Sequence, residues 1–280
     1  MRPPADTAAL SHALPLASRT GPARVAHVRF TSAADGDLRV DGAQPALDAR
    51  RLALVAGPWT WLRQVHGRVV VTVDAPGAAA GSRADAAVTA VVGAPLAVHT
   101  ADCAAVALVA DGGDGAGGEN GGLVAAVHAG WRGLAAGVVE RAADALRDAG
   151  ATGLRAVVGP CIHPCCYEFG VADLDRVAGR YGDGVRAVTT TGRHALDLPA
   201  AVGRALAAAG ADLVAPSPAC TACGTPPFFS HRARGDTARQ AMVVWMKTAS
   251  RERPSRVTAQ QGTSDRGPSG PLRSGKSGKR

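Results

Sequence analysis

Three short segments, Gln64-Val65-His66-Gly67, Thr100-Ala101-Asp102-Cys103 and His128-Ala129-Gly130-Trp131-Arg132-Gly133, set a His, a Cys and a second His beside apolar runs that read as buried strands. Each of the three sits next to a Gly or Asp that tolerates a turn, so the pattern asks for a fold in which strand ends hold ligands rigidly. Imidazole nitrogen and thiolate sulfur are ready zinc ligands. Three protein ligands leave the fourth tetrahedral position open to water or substrate, whereas closed structural sites usually have four. His66, Cys103 and His128 are therefore the expected ligands of an open metal site, with Zn²⁺ expected and Cu²⁺ its competitor on N/S ligands.

The rest of the chain supplies the frame for such a site. Aromatic residues are only 4% of the 280, so Val, Leu and Ala must fill the core. Val25–Leu38 begins a first strand. Arg68–Val73, Ala86–Val92, Leu96–His99, Ala104–Val109, Leu123–His128, Leu154–Val158 and Gln240–Trp245 are short, Val-rich and bounded by Gly or Pro, as strands are. From Gly133 the period changes. Leu134, Val138, Ala142, Ala145, Leu146 and Ala149 share one helical face, which predicts a helix of about four turns whose N-terminus lies beside His128 and Arg132 and offers an anion its free amides. Val171–Tyr181 and Leu198–Ala209 read as further helices. The Gly-rich stretch Asp111–Gly122 reads as a mobile hairpin loop.

Charge is concentrated at one end. The formal net charge is +8, but residues 248–280 carry eight Lys/Arg against two acidic residues, so the remaining body is nearly neutral. Three segments follow: a loosely ordered lead-in at 1–24, a catalytic domain at 25–247 and a disordered basic tail at 248–280. Nucleic acid is expected to bind only nonspecifically, through the tail. No apolar run reaches the ~18 residues of a membrane span, and the first residues lack the apolar core of a secretory signal. A cytoplasmic monomer is expected. Reducing conditions there make metal or thiol chemistry the expected use of the cysteines.

The order of motifs continues through Gly159-Pro160-Cys161-Ile162, Cys165-Cys166-Tyr167-Glu168, Cys220-Thr221-Ala222-Cys223 and Phe228-Phe229-Ser230-His231-Arg232. Over roughly Trp59–Met246 the chain resembles the laccase-domain family, once called multicopper polyphenol oxidases and now regarded as purine nucleoside phosphorylases. The resemblance implies a single-domain α/β fold, a mixed-sheet layered sandwich with one metal at strand ends, held by His66, Cys103 and His128. It also implies phosphorolysis of adenosine, inosine, guanosine or 5′-methylthioadenosine, with adenosine deamination as a second activity. Purine nucleosides and phosphate are then the partners. Two departures stand out: Phe30-Thr31-Ser32-Ala33-Ala34-Asp35 lacks the Arg usual there, and Ala104-Ala105 replaces a Pro-bearing pair.

Other residues carry paired readings. Asp102 either orients a ligand histidine or catalytic water, or forms a turn. Arg132 either grips phosphate bidentately or is a solvated helix residue. His231 and Arg232 either line the substrate pocket or form the polar face of a strand. Cys161, Cys165, Cys166, Cys220 and Cys223 lack two regular Cys-x-x-Cys knuckles, so core packing and an active-site wall are preferred over a second zinc site. The competing function is a thiol hydrolase or amidase, with Cys103 as nucleophile and His128 as base, as would suit relatives linked to editing of peptidoglycan precursors. A copper-loaded polyphenol oxidase is the weakest reading, because the eight histidines include no His-x-His pair.

Overall fold

The structure, a computed structural model, describes residues 10–17, 22–112, 121–223 and 227–249. Among these residues two large sheets stack on each other. The first is ordered β1 (Ser11–Leu16), β2 (Arg24–Phe30), β13 (Gln240–Thr248), β6 (Leu96–Thr100) and β3 (Thr60–Trp61), antiparallel except where β3 meets β6. The second is ordered β12 (Asp212–Ala215), β9 (Ala151–Val158), β7 (Ala104–Gly112), β8 (Leu123–Ala129), β5 (Ala86–Thr89) and β4 (Val70–Thr72). Its centre is antiparallel and its outermost pairs are parallel.

The uninterrupted apolar runs follow from this stacking. On β7, Ala105, Ala107 and Val109 face the first sheet, packing with Val28, Val98 and Met242. Val106, Leu108 and Ala110 face the opposite way, into a layer formed by α2 (Trp131–Ala136), α3 (Val138–Asp148), α4 (Val171–Tyr181) and α5 (Leu198–Ala208). A strand covered on both faces has no reason to alternate in polarity. The outer face of the first sheet is covered in turn by α1 (Gln44–Leu54), with Leu47 packing near Ala97, Ala241 and Val243. The fold is thus the mixed-sheet α/β sandwich expected. A small hairpin of β10 (Arg186–Val188) and β11 (His194–Leu196), and the one-turn helix α6 (His231–Arg234), complete it.

Three expectations change. The lead-in contains β1, where Leu14 and Leu16 are buried at period two against β2; Pro15 is tolerated because β1 is an edge strand. The long helix after His128 is two helices. Gly137 adopts a left-handed φ of 86° between them, and a Cβ there would lie 2.5 Å from Arg180 Nη2, so the backbone yields to the guanidinium that reaches over to Glu140. The helix beginning at Trp131 is therefore six residues long, too short to carry the anion site expected of a four-turn helix. Finally, α1 was not foreseen.

Most of the Gly-rich loop and the basic tail beyond Ala249 lie outside the described residues, although β7 and β8 pair antiparallel on either side of that loop, Ala110 opposite Leu123. No helix among the described residues is long and apolar enough to cross a membrane.

Candidate metal centre

His66 ends a turn that two polar side chains hold open. Gln64 locks onto the backbone of His99 at both ends of its amide: Nε2 donates to the His99 carbonyl (2.7 Å) and Oε1 accepts from the His99 amide (2.8 Å). The fully buried Asp85, one residue before β5, accepts from the amides of Val65, His66 and Gly67 at 3.2, 2.9 and 2.7 Å. Those bonds sustain a left-handed φ of 57° at His66, a conformation that costs energy for a residue with a Cβ. The same carboxylate accepts from His128 Nδ1 at 2.8 Å. One buried acid thus sets the turn that carries the first histidine and the tautomer of the second.

Cys103 enters from the turn between β6 and β7. Its predecessor Asp102 is strained too, with φ 93°, and is held from both sides: its carbonyl accepts from the Ile162 amide (2.8 Å), and its carboxylate accepts from Thr221 Oγ1 (2.7 Å) and the Arg232 amide (2.6 Å). Of the three non-glycine residues with positive φ among the described residues, two adjoin this site. Gly130 closes the remaining side. A Cβ there would stand 2.8 Å from His66 Cδ2 and 3.0 Å from Cys103 Sγ, so only a bare backbone lets the ligands meet.

The ligand atoms of His66, Cys103 and His128 lie within 4.8 Å of one another, with Cys103 Sγ 3.8 Å from His66 Nε2. Because Asp85 occupies Nδ1 of His128, Nε2 is its free nitrogen, the carboxylate–histidine arrangement common at metal centres. Burial alone would push the Cys103 thiol up, but His128 and His66 outweigh it and bring it down to about 6. Burial would likewise lower His128, yet Cys103 and Asp85 raise it to about 9. Asp85 stays ionised despite burial because His128 and the turn amides stabilise its charge. A thiolate among imidazoles in a half-buried pocket fits a divalent N/S-binding metal.

A cavity of about 380 Å³ opens onto the trio and is also lined by His99, His231, Arg39 and Arg239. His231 thus lines this cavity from the short helix α6, capped by Ser230, and not from a strand. Two other expectations are corrected. Arg132 does not line this cavity: it lies exposed, its guanidinium 4.3 Å from the centre of the Trp131 ring. The Arg232 side chain also points elsewhere, over Tyr167 and onto the Glu168 carbonyl (3.2 Å), while its backbone amide serves Asp102. Asp102 contacts neither ligand histidine through its carboxylate; the histidine-orienting acid is Asp85.

Asp85, Gln64, His99, Arg39 and Arg239 were not singled out from the sequence. For Asp85 a signal existed, a lone acid at the entrance of the apolar run Ala86–Val92. His99 is buried, neither ring nitrogen has a hydrogen-bond partner among the described residues, and burial, with Arg51 and His128 nearby, lowers its pKa to about 3. It is a neutral donor–acceptor group at the wall of the cavity.

Comparison with known proteins places this arrangement in context. A family model described as multi-copper polyphenol oxidoreductase laccase matches residues 31–247. A Mycobacterium bovis protein named purine nucleoside phosphorylase is 37% identical over 213 residues, covering 74% of this chain and 81% of its own. One of the same name from Xylella fastidiosa is 40% identical over 196 residues, covering 66% and 71%. Among solved structures, Neisseria meningitidis protein NMB0706 superposes with a TM-score of 0.64 at 26% identity, covering 84% of this chain and 99% of that one. The Bacillus licheniformis hypothetical protein YfiH gives 0.66 at 24% identity, covering 79% and 93%.

Proposed function

This chain belongs to the family described as multi-copper polyphenol oxidoreductase laccase, and from that premise we propose that it is a purine nucleoside phosphorylase that also deaminates adenosine at the same metal centre. The observation that carries the reading is the single cavity shared by the His66–Cys103–His128 trio, a neutral unpartnered His99 and the cationic Arg39 and Arg239. Relatives named purine nucleoside phosphorylase support it.

Phosphorolysis joins a phosphate oxygen to C1′ as the bond from C1′ to the base breaks, and the departing purine must take a proton or a strong hydrogen bond. Arg39 and Arg239 hold the anion in this scheme, taking over the role expected of Arg132. The neutral His99 ring forms part of the wall against which the purine would lie. His66, Cys103 and His128 hold a metal, Zn²⁺ by preference for this donor set. When bound, the metal supplies Lewis-acid chemistry, which polarises substrate and eases deprotonation of water for attack at C6 of adenosine.

The test supplies adenosine with and without phosphate. Adenine and ribose 1-phosphate are expected only with phosphate, and inosine in both cases. Absence of free base at any phosphate concentration overturns the reading. A thiol hydrolase is the second reading, favoured by the low Cys103 and high His128 pKa values, which describe a thiolate–imidazolium pair in metal-free protein. Zinc that binds stoichiometrically and blocks alkylation of Cys103 favours the metal enzyme.

A further inference from the structure

A second cluster lies apart from the trio. Cys165, Cys166, Cys220 and Cys223, for which the sequence favours core packing and an active-site wall over a second zinc site, bring four sulfurs within 4.8 Å of one another. Cys165 Sγ is 3.1 Å from Cys223 Sγ and 3.8 Å from Cys220 Sγ, and Cys166 Sγ is 3.4 Å from Cys223 Sγ. Three of the four are only half-buried and Cys223 is exposed; Cys166 and Cys220 rest against the edge of the core, to which the fully buried Cys161 belongs, but Cys165 and Cys223 do not. A tetrahedral zinc with Zn–S bonds of ~2.3 Å needs sulfur–sulfur edges of about 3.8 Å, which these positions approach.

The backbone around the cluster is built to hold it. Cys161 and Cys220 form a parallel bridge, the Thr221 amide donates to the Cys161 carbonyl (3.0 Å), and the Thr190 amide donates to the Cys165 carbonyl (3.2 Å). The His163 amide donates to Cys220 Sγ at 3.3 Å, an N–H···S bond that steadies a thiolate. Arg234, ion-paired with Asp236 at 3.1 Å, donates to the Thr221 carbonyl at 3.4 Å and pins the same turn. Four sulfurs this close repel as thiolates unless a cation joins them.

We infer that Cys165, Cys166, Cys220 and Cys223 form a second, closed metal site for Zn²⁺ that is structural and separate from the open one. On binding, four thiol protons leave to solvent as four Zn–S bonds form, and no electron moves. The ion ties the turn at 161–166 to the turn at 220–223, two segments more than fifty residues apart in sequence. Thr221, beside Cys220, bonds the Asp102 carboxylate that holds the Cys103 turn, so the closed site also braces the open one.

The test counts metal in the reduced full-length chain and in two variants. Wild type is expected to hold two zinc equivalents. Cys103→Ala, which removes a ligand of the open site only, is expected to retain one, and with Co²⁺ in place of zinc to show the intense sulfur-to-cobalt absorption of a four-thiolate centre. Cys220→Ser/Cys223→Ser is expected to lose that absorption, hold one equivalent fewer and melt at a lower temperature. Folded Cys103→Ala without zinc or the cobalt–thiolate bands overturns the inference even if the double variant does not fold. So does a Cys165–Cys223 disulfide in protein prepared with zinc present. A phosphorylase assay takes no part, so failure of the functional reading leaves this result interpretable.

Discussion

Asp85 and His128 are joined twice: the Asp85 carboxylate lies 2.8 Å from His128 Nδ1, and the Asp85 carbonyl accepts from the His128 amide at 2.8 Å. The same acid caps three amides of the turn that carries His66, so both ligand histidines depend on one side chain. Its effect on the metal is indirect, through orientation and basicity.

Asp85→Asn keeps the shape of that side chain but removes its charge and half its accepting capacity. Loss of a carboxylate behind a ligand histidine typically weakens metal binding about 10–100-fold. Competition with a chromogenic chelator measures it. An unchanged zinc affinity would show that Asp85 only braces the turn.

Gly130→Ala should exclude the metal from a folded protein. The added methyl meets the His66 ring and Cys103 Sγ at 2.8 and 3.0 Å, so both side chains must turn away from the positions in which their ligand atoms converge. Gly170→Ala is the control, since nothing lies within 4 Å of a Cβ at that position. Metal content and circular dichroism of both variants decide the matter; equal zinc in the two refutes the steric argument.

His99 makes stability depend on pH. In the unfolded chain it takes a proton near pH 6.5, but in the folded protein burial, then Arg51 and His128, hold protonation off until about 3. The unfolded state therefore binds more protons between these values, and stability falls as pH drops through the window. Between pH 6.5 and 5 this amounts to about 2 kcal/mol at 1.36 kcal/mol per unit. Denaturant unfolding of wild type and His99→Gln at pH 7 and 5 should show wild type losing more. Parallel losses would mean that His99 is solvated.

If phosphate binds in the shared cavity, Arg39→Gln should raise the phosphate KM about tenfold and change adenosine deamination much less, because water carries no charge to hold. Arg132→Gln should alter neither by more than about twofold, since Arg132 lies outside the cavity. Steady-state kinetics with phosphate varied at fixed adenosine separate the two. A larger effect from Arg132 would return the anion to the short helix at Trp131.

The apolar runs of β5–β9 and β13 were legible as strands because residues buried on both faces must be apolar throughout, a property local to each run. The converging trio His66, Cys103 and His128 was legible because few side chains bind zinc and all three adjoin turn-forming residues. The edge strand β1 and helix α1 were not, since Pro15 interrupts the first and the second has Pro45 in its first turn and buries only Leu47. Gly137 left the apolar face of α2 and α3 in register, so the break became visible only once Arg180 crossed it. What the sequence by itself determined was the composition of the layers and the candidate ligands of the open site. Tertiary structure alone decided which acid serves His128, which arginines reach the cavity and that four cysteines from two distant segments converge. Those depend on distances between residues far apart in the chain, and such distances are set by sheet pairing and strained turns, which leave no periodic trace in any one segment.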